Sequence, residues 1–346
     1  MSKAESARSH VGSKTRDVLA DTTIPATLRT SKMRVPDFFI IGHEKCGTTA
    51  LYRMLKSHPQ IYMPDIKEPR FFMRDPDSRV PRRAGGRLPH TLEEYLSLFA
   101  GANPEQRVGE ASPQYIRSPA AAQRIADVQP DARIIAILRE PTSFLHSFHL
   151  HCVRGNIETQ RDLRKAMALE GQRRQGRRIP RGCQAPDRLL YSDHVRYVEQ
   201  LRHYQTVFSR EQILVILYDD LRRDNDATAR RVLRFLEVDD TAPIEVLNTT
   251  GRRVQAVRFA RLHNMTLALK GARLRPAAAG PVSRTVSSLI PKQLEPIWRR
   301  VVYATPRPLD EVFMLELRRR FKPEVVALSD YLGRDLVTQW GYDSIS

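Results

Sequence analysis

Residues 38–58 read FFIIGHEKCGTTALYRMLKSH, and no other stretch restricts the fold so strongly. Phe38 to Ile41 is an unbroken apolar run ended by Gly42, the pattern of a strand buried on both faces. Thr49 to His58 then sets Leu51, Met54, Leu55 and His58 on one helical face, and Pro59 stops the helix. Between them, Gly47 permits close backbone approach, and the first N–H groups of the helix have no partner within it and point at an anion. An open α/β sheet binds phosphates at such a strand-to-helix turn. The loop is not a Walker sequence: Thr48 follows Gly47, whereas that pattern needs a lysine there, and Lys45 lies two residues before the glycine. This weighs against an ATPase or GTPase. Read alone, the Gly and Thr residues could also do no more than cap the helix.

The same alternation continues along the chain. Pro119 to Val128 is helical in pattern, Pro130-Asp131 turns, Ile134 to Leu138 is an apolar strand, and Pro141 opens the next helix. Asp187 to Phe208 carries Leu190, His194, Tyr197, Leu201 and Tyr204 at helical spacing, and Ile213 to Leu217 is a third buried strand. Strands alternating with helices predict an α/β three-layer sandwich around a central parallel sheet. Residues 1–33 read as a flexible tail and 34–346 as a single domain. Two segments interrupt the order and read as loops or mobile helices over a site: Arg74 to Arg87, and an insertion at 161–186 holding Arg173, Arg174, Arg177, Arg178 and Arg181. Leu309 to Leu336 is again helical in pattern, with a kink or boundary expected at Pro323.

Fifty-seven Lys and Arg against 39 acidic residues give a net charge of +18, which favours anionic partners: a nucleotide, an acidic glycan, nucleic acid or a lipid headgroup surface. A basic surface with no specific partner is the plainer reading. The arginine-rich segments lack interleaved aromatics, so specific nucleic-acid binding is not expected. Cys46, Cys152 and Cys183 are too few and too scattered for a disulfide framework or a zinc site. No metal site is expected, and a reducing cytoplasm fits best. No apolar run approaches the ~20 residues that span a bilayer, and the start MSKAESARSH lacks the core of a signal peptide. A soluble, cytoplasmic protein is the expectation, with peripheral contact to a membrane surface left open.

The strand Ile134 to Leu138 runs into Arg139, and Ser147 lies about two turns into the helix that follows. A guanidinium at a strand's carboxyl end and a hydroxyl on the adjoining helix can take one phosphate between them, the first by its planar fork and the second by a single bond. Alone, Arg139 is as well read as a surface ion-pair residue and Ser147 as an exposed helix position; it is their company with the first loop that makes them informative.

These segments resemble a known family. DFFIIGHEKCGTTALYRMLKSHPQIYM closely resembles the 5′-phosphosulfate loop of sulfotransferases that use 3′-phosphoadenosine 5′-phosphosulfate (PAPS), and IIAILREPTSFLHSFHLH resembles their 3′-phosphate motif. The likeness is nearest to the glycan-modifying branch, the heparan sulfate N- and 3-O-sulfotransferases and their bacterial relatives. KEPRFF at 67–72, VGEASPQYI at 108–116 and the segment YSDHVRYVEQLRHYQTVFSREQILVILYDDL carry that likeness, which covers Pro36 to Val238.

The resemblance implies a P-loop-like sulfotransferase fold, PAPS as co-substrate, its bisphosphate PAP as product, and no metal. It implies that Lys45 contacts the bridging and sulfuryl oxygens while Cys46, Gly47, Thr48 and Thr49 surround the 5′-phosphate, and that Arg139 and Ser147 take the 3′-phosphate. Glu68 falls on the family's catalytic glutamate and would be the general base, unless it only pairs with Lys67 or Arg70. Glu110 is the second choice; there the chain departs from several relatives, with Ala111 where they have lysine. His43 is a further base, or simply an exposed loop histidine. Gly251, Arg252 and Arg253 resemble the loop that closes over the nucleotide, or form a solvated basic surface. The acceptor would be a hydroxyl, less readily an amine, on a glycan, glycolipid or glycosylated metabolite, with the 161–186 insertion holding an anionic or lipid-linked group. A nucleotide kinase with a variant loop and a non-enzymatic polyanion binder are the alternatives.

Overall fold

A computed structural model describes residues 34–73, 88–181, 183, 185–245, 256–257, 262 and 301–345. In chain order the first elements are β1 (Phe38–Gly42), α1 (Thr48–Lys56), β2 (Ile61–Tyr62), α2 (Leu92–Ser97), β3 (Arg107–Ala111), α3 (Pro119–Val128) and β4 (Arg133–Leu138). Next come α4 (Pro141–Arg154), α5 (Leu163–Ala168), α6 (Glu170–Arg174), α7 (Tyr197–Gln205), β5 (Ile213–Leu217), α8 (Tyr218–Arg223) and α9 (Asn225–Phe235). The chain continues through β6 (Ala256–Val257), β7 (Tyr303–Ala304), α10 (Glu311–Leu332) and α11 (Leu336–Gln339). The expected tail at 1–33 and the segment Arg74 to Arg87 lie outside the described residues.

Two compact units result. Within the described residues, the first holds 34–73, 88–138 and 199–245, and the second 139–198, 256–257, 262 and 301–345.

The first unit is built on a five-stranded sheet in the order β2-β3-β1-β4-β5, with every neighbouring pair parallel. The α/β expectation with a central parallel sheet is borne out. All five residues of β1 are buried, and four consecutive large apolar side chains at 0–1% exposure make it the centre of the core. Each such side chain contributes about 1.5–3 kcal/mol by leaving water. Gly42 ends the strand for a steric reason: a Cβ there would sit 2.3 Å from the carbonyl oxygen of Ile137 on β4. From β1 the chain moves to β2 and β3 on one side and then crosses to β4 and β5 on the other. The sheet therefore has its switch point between the carboxyl ends of β1 and β4, which pair as Gly42 with Ile137.

In the second unit α4 begins at Pro141, as expected, and Glu140 caps it by accepting from the Thr142 and Ser143 N–H groups at 3.0 and 2.7 Å. The Tyr342 hydroxyl donates to the same carboxylate at 2.6 Å, tying the end of the chain to the start of α4. Two expectations need correction here. Asp187 to Phe208 is not one helix: 3₁₀ turns at Pro186–Leu189 and Tyr191–Val195 precede α7. Leu190 and Arg196 have ψ of 74° and 60°, outside helix, which lets His194 bury against Phe144 and Phe148 while the Val198 N–H is satisfied by Glu324. Nor does Pro323 bound or break a helix, because α10 runs through it. Pro323 lies on the exposed face of α10, as does Arg319 one turn before it, so the ring meets no buried neighbour there.

The 161–186 segment is more ordered than a loop. α5 and α6 stand on a fully buried ion pair in which Arg173 donates to Glu158 at 2.7 and 2.9 Å. The Tyr191 hydroxyl reaches Glu158 at 3.0 Å, and His149 lies 3.0 Å from that hydroxyl.

Candidate functional site

Three residues in six, Gly42, Lys45 and Gly47, have positive φ of 133°, 74° and 93°. The left-handed conformation at Lys45, a non-glycine, costs about 1 kcal/mol or more and persists only where the surroundings impose it. Alternating backbone of this kind turns successive N–H groups toward one side and forms an anion-binding concavity. The Cys46 N–H closes the turn on the His43 carbonyl at 3.3 Å. Gly47 is the N-cap of α1, with no side-chain cap and no acidic residue in the first turn, so the positive end of the helix is left for an outside anion. A Cβ on Gly47 would approach Leu221 Cδ2 to 2.7 Å, so sterics as well as φ require glycine. Cys46 and Thr48 are buried, Lys45 and Gly47 half-buried and Thr49 exposed.

His43 is fully buried, which corrects the expectation of an exposed loop histidine. Its side chain turns inward to place Nε2 3.0 Å from Gln200 Oε1 on α7. Burial, and then the charge of Arg117, push its pKa down to about 3, so it is neutral and weakly basic at physiological pH.

Glu68 lies on the loop after β2, with φ of 62°, and Arg70 follows at 55°. The end of β3 holds this loop: the Glu68 N–H donates to the Ala111 carbonyl at 3.1 Å and the Arg70 N–H to Ser112 Oγ at 3.0 Å. The Glu68 carboxylate pairs with Lys67 at 2.8 Å and Arg70 at 2.6 Å. Burial alone would raise its pKa, but Lys67 and Arg70 outweigh burial and hold it down at about 2. Gln114 was not singled out from the sequence. Its amide donates to Glu44 at 2.9 Å and to Glu68 at 3.3 Å, so one side chain joins the glycine loop to the Glu68 loop.

Glu110 is wholly buried on β3 and accepts from the Tyr95 and Tyr115 hydroxyls, each at 2.9 Å, on a single oxygen. Burial pushes its pKa up to about 7 against the pull of Ser112, Tyr95, Tyr115 and Lys67. Tyr95, on α2, carried no signal in the sequence beyond its being aromatic.

In the second unit, half-buried Arg139 follows directly on the last residue of β4, and its carbonyl accepts from the Tyr197 hydroxyl at 2.8 Å. Ser147 is buried on α4, not at an exposed helix position. Gly251, Arg252 and Arg253 lie outside the described residues. No cluster of three or more His, Cys, Asp or Glu suited to a metal occurs among the described residues.

A parallel sheet, a glycine turn at its switch point and an uncapped helix start define an α/β protein with an anion-binding type of turn at the carboxyl end of β1. A profile of the sulfotransferase family matches residues 36–242, and the chain belongs to that family. It is 29% identical over 247 residues to carbohydrate sulfotransferase 15 of Mus musculus, a match covering 59% of this chain and 44% of that protein. It is 25% identical over 224 residues to bifunctional heparan sulfate N-deacetylase/N-sulfotransferase 1 of Caenorhabditis briggsae, covering 63% and 24%. The chain thus spans less than half the length of these curated relatives. Its fold is similar to that of a sulfotransferase from Alicyclobacillus acidocaldarius, with a TM-score of 0.60, 28% identity, and coverage of 88% of this chain and 98% of that one.

Proposed function

We propose that this protein transfers a sulfuryl group from PAPS to a hydroxyl, less readily an amine, of a glycan, glycolipid or glycosylated metabolite. The observation that carries this reading is the loop from Gly42 to Thr49, with its left-handed lysine and uncapped helix start, inside a chain of the sulfotransferase family. The loop's donor set suits a phosphosulfate: backbone N–H groups, two threonine hydroxyls and one ammonium. On this reading Cys46, Gly47, Thr48 and Thr49 surround the 5′-phosphate and Arg139 and Ser147 take the 3′-phosphate, while the family resemblance carries a nucleotide-contacting role to Gly251, Arg252 and Arg253, which lie outside the described residues.

Transfer is an in-line displacement. The acceptor oxygen bonds to sulfur as the bond from sulfur to the bridging oxygen breaks; the acceptor's proton passes to Glu68, and Lys45 meets the charge that grows on the departing phosphate. Glu68 enters this step ionised, since Lys67 and Arg70 hold it so. An acceptor that displaces either cation raises its basicity where the proton is to be taken. The glycan side of the proposal follows the names of the two curated relatives. A cytoplasmic setting is supported by the free state of Cys46, Cys152 and Cys183. No helix among the described residues is long and apolar enough to cross a membrane. No observation favours a nucleotide kinase or a non-enzymatic polyanion binder.

Calorimetry with PAP tests the donor site: saturable binding that survives salt high enough to release nonspecific polyanions is expected, and no heat with folded protein overturns the reading. A panel of unsulfated glycans incubated with PAPS and examined by mass spectrometry for a gain of one SO₃ then identifies the acceptor.

A further inference from the structure

The geometry points to Glu110, Tyr95 and Tyr115 as a buried clamp that positions the Glu68 loop, with Glu110 acting as a positioning residue and not as a base. This rests on the reading of Glu68 above. The carboxylate of Glu110 is at 0% exposure, so it is closed to an acceptor's proton. One of its oxygens takes both tyrosine hydroxyls, and the other receives no hydrogen bond from the described residues.

Both tyrosines reach the same segment, Tyr95 also meeting Phe99 beyond its own helix at 5.2 Å. The Tyr115 hydroxyl accepts from the Phe72 N–H at 3.3 Å. The Tyr95 ring stacks on Phe71 at 4.7 Å and 12°, and meets the edge of Phe72 at 5.1 Å. Phe71 and Phe72 end the KEPRFF segment whose second residue is Glu68. The other end of the segment is held by the Ala111 carbonyl and Ser112 Oγ, the two residues that follow Glu110. Glu110, its two partners and the two residues after it thus hold both ends of the segment, with Gln114 on Glu68 at 3.3 Å, Arg124 on the Phe72 carbonyl at 3.2 Å and the Phe39 ring against Phe72 as further contacts.

A buried carboxylate with one bare oxygen is costly to keep, and a glutamine of the same shape would carry no charge to bury. What the charge adds is strength, because hydrogen bonds to a carboxylate are roughly twice as strong as those between neutral groups. The groups facing Glu110 are Tyr95 from α2, Tyr115 and Ser112 beyond β3, Lys67 from the loop itself, and Tyr204 from α7. Its own proton comes on as the pH falls through about 7, and the clamp weakens there. The sign for folding is opposite. A carboxyl whose pKa is raised by folding contributes stability below about 4.5 that is lost as the pH rises through about 7, so removing the charge relieves the fold in alkaline solution.

Hydrogen exchange by mass spectrometry on the full chain tests this, using Glu110→Gln and Tyr95→Phe at pH 8. The peptide covering 66–73 should exchange at least fivefold faster in both variants, with the peptide covering 42–50 changed less than twofold and PAP affinity within twofold. The Glu110→Gln midpoint of thermal unfolding at pH 8 should equal or exceed that of the parent. After correction for intrinsic rates, the parent should lose protection at 66–73 below about pH 7 and Glu110→Gln should show no such step. Unchanged exchange at 66–73, or faster exchange spread evenly over 42–50 with a lowered midpoint, overturns the clamp. Glu68→Gln is assayed separately for sulfuryl transfer. Full activity there would remove Glu68 as base while leaving the exchange result to decide the clamp.

Discussion

Two glutamates linked through the hydrogen bond from the Glu68 N–H to the carbonyl of Ala111, the residue after Glu110, experience opposite environments, and the contrast underlies the tasks proposed for them. Glu68 is partly exposed between two cations, whereas Glu110 is sealed among hydroxyls. Glu68→Gln should leave PAP affinity within twofold and lower the transfer rate about 10²- to 10⁴-fold, the usual reach of a general base. Lys45→Ala should weaken nucleotide binding by about 1.5–3 kcal/mol, roughly one to two orders of magnitude by calorimetry, as expected for hydrogen bonds to a charged group. His43 sets a third prediction. Its folded pKa lies near 3, below the ordinary 6.5, so its contribution to stability is intact above 6.5 and is lost as the pH falls toward 3. His43→Gln should flatten that acid limb in thermal unfolding followed from pH 7 to 4. Lys45, Glu68 and Glu110 were readable from the chain because each sits in a motif. Gln114 was not, since glutamine between proline and tyrosine carries no periodic or charge signal, and only folding sets its amide between Glu44 and Glu68.

At the scale of elements, legibility followed apolar patterning and not burial as such: β1 and β4 are buried along nearly their whole length, whereas β5, expected to be a third buried strand, is fully buried only at Ile216 and Leu217. FFII, IIAIL and ILVIL announce β1, β4 and β5 by unbroken apolar runs. β3 reads Arg-Val-Gly-Glu-Ala and hides, because its place in the sheet is set by a glycine and a buried acid. Gly109 must be small there: a Cβ would fall 2.1 Å from the Phe38 ring. The helix boundaries at Pro119 and Pro141 came from proline at the first turn, where its missing N–H costs nothing. Asp187 to Phe208 misled because helical spacing was satisfied by residues that the 3₁₀ turns send to different neighbours. Gly47→Ala tests the start of α1. Strain at φ 93° and the clash with Leu221 should cost about 1–3 kcal/mol in urea unfolding and weaken PAP binding at least tenfold.

At the scale of the whole molecule, the net charge of +18 favours an anionic ligand, in keeping with the donor proposed above, without choosing one. The division into two compact units was not legible, since the chain passes from one to the other at Leu138–Arg139 and Val198–Glu199 without a linker composition. The basic insertion, expected as a loop or mobile helices, holds two short helices, and its composition does not distinguish its arginines from one another. Folding sorts them: Arg173 is buried on Glu158, Arg174 pairs with Asp193 at 2.6 Å, and Arg177, Arg178 and Arg181 stay exposed. Glu158→Ala should therefore destabilise by about 3–5 kcal/mol, because it strands a buried guanidinium, and urea unfolding would register it. Replacing Arg177, Arg178 and Arg181 together by serine should shift the unfolding midpoint little. The segment is in effect a rigid stem bearing an interchangeable tip. New side chains could be grafted onto that outer turn while the scaffold beneath it keeps its shape.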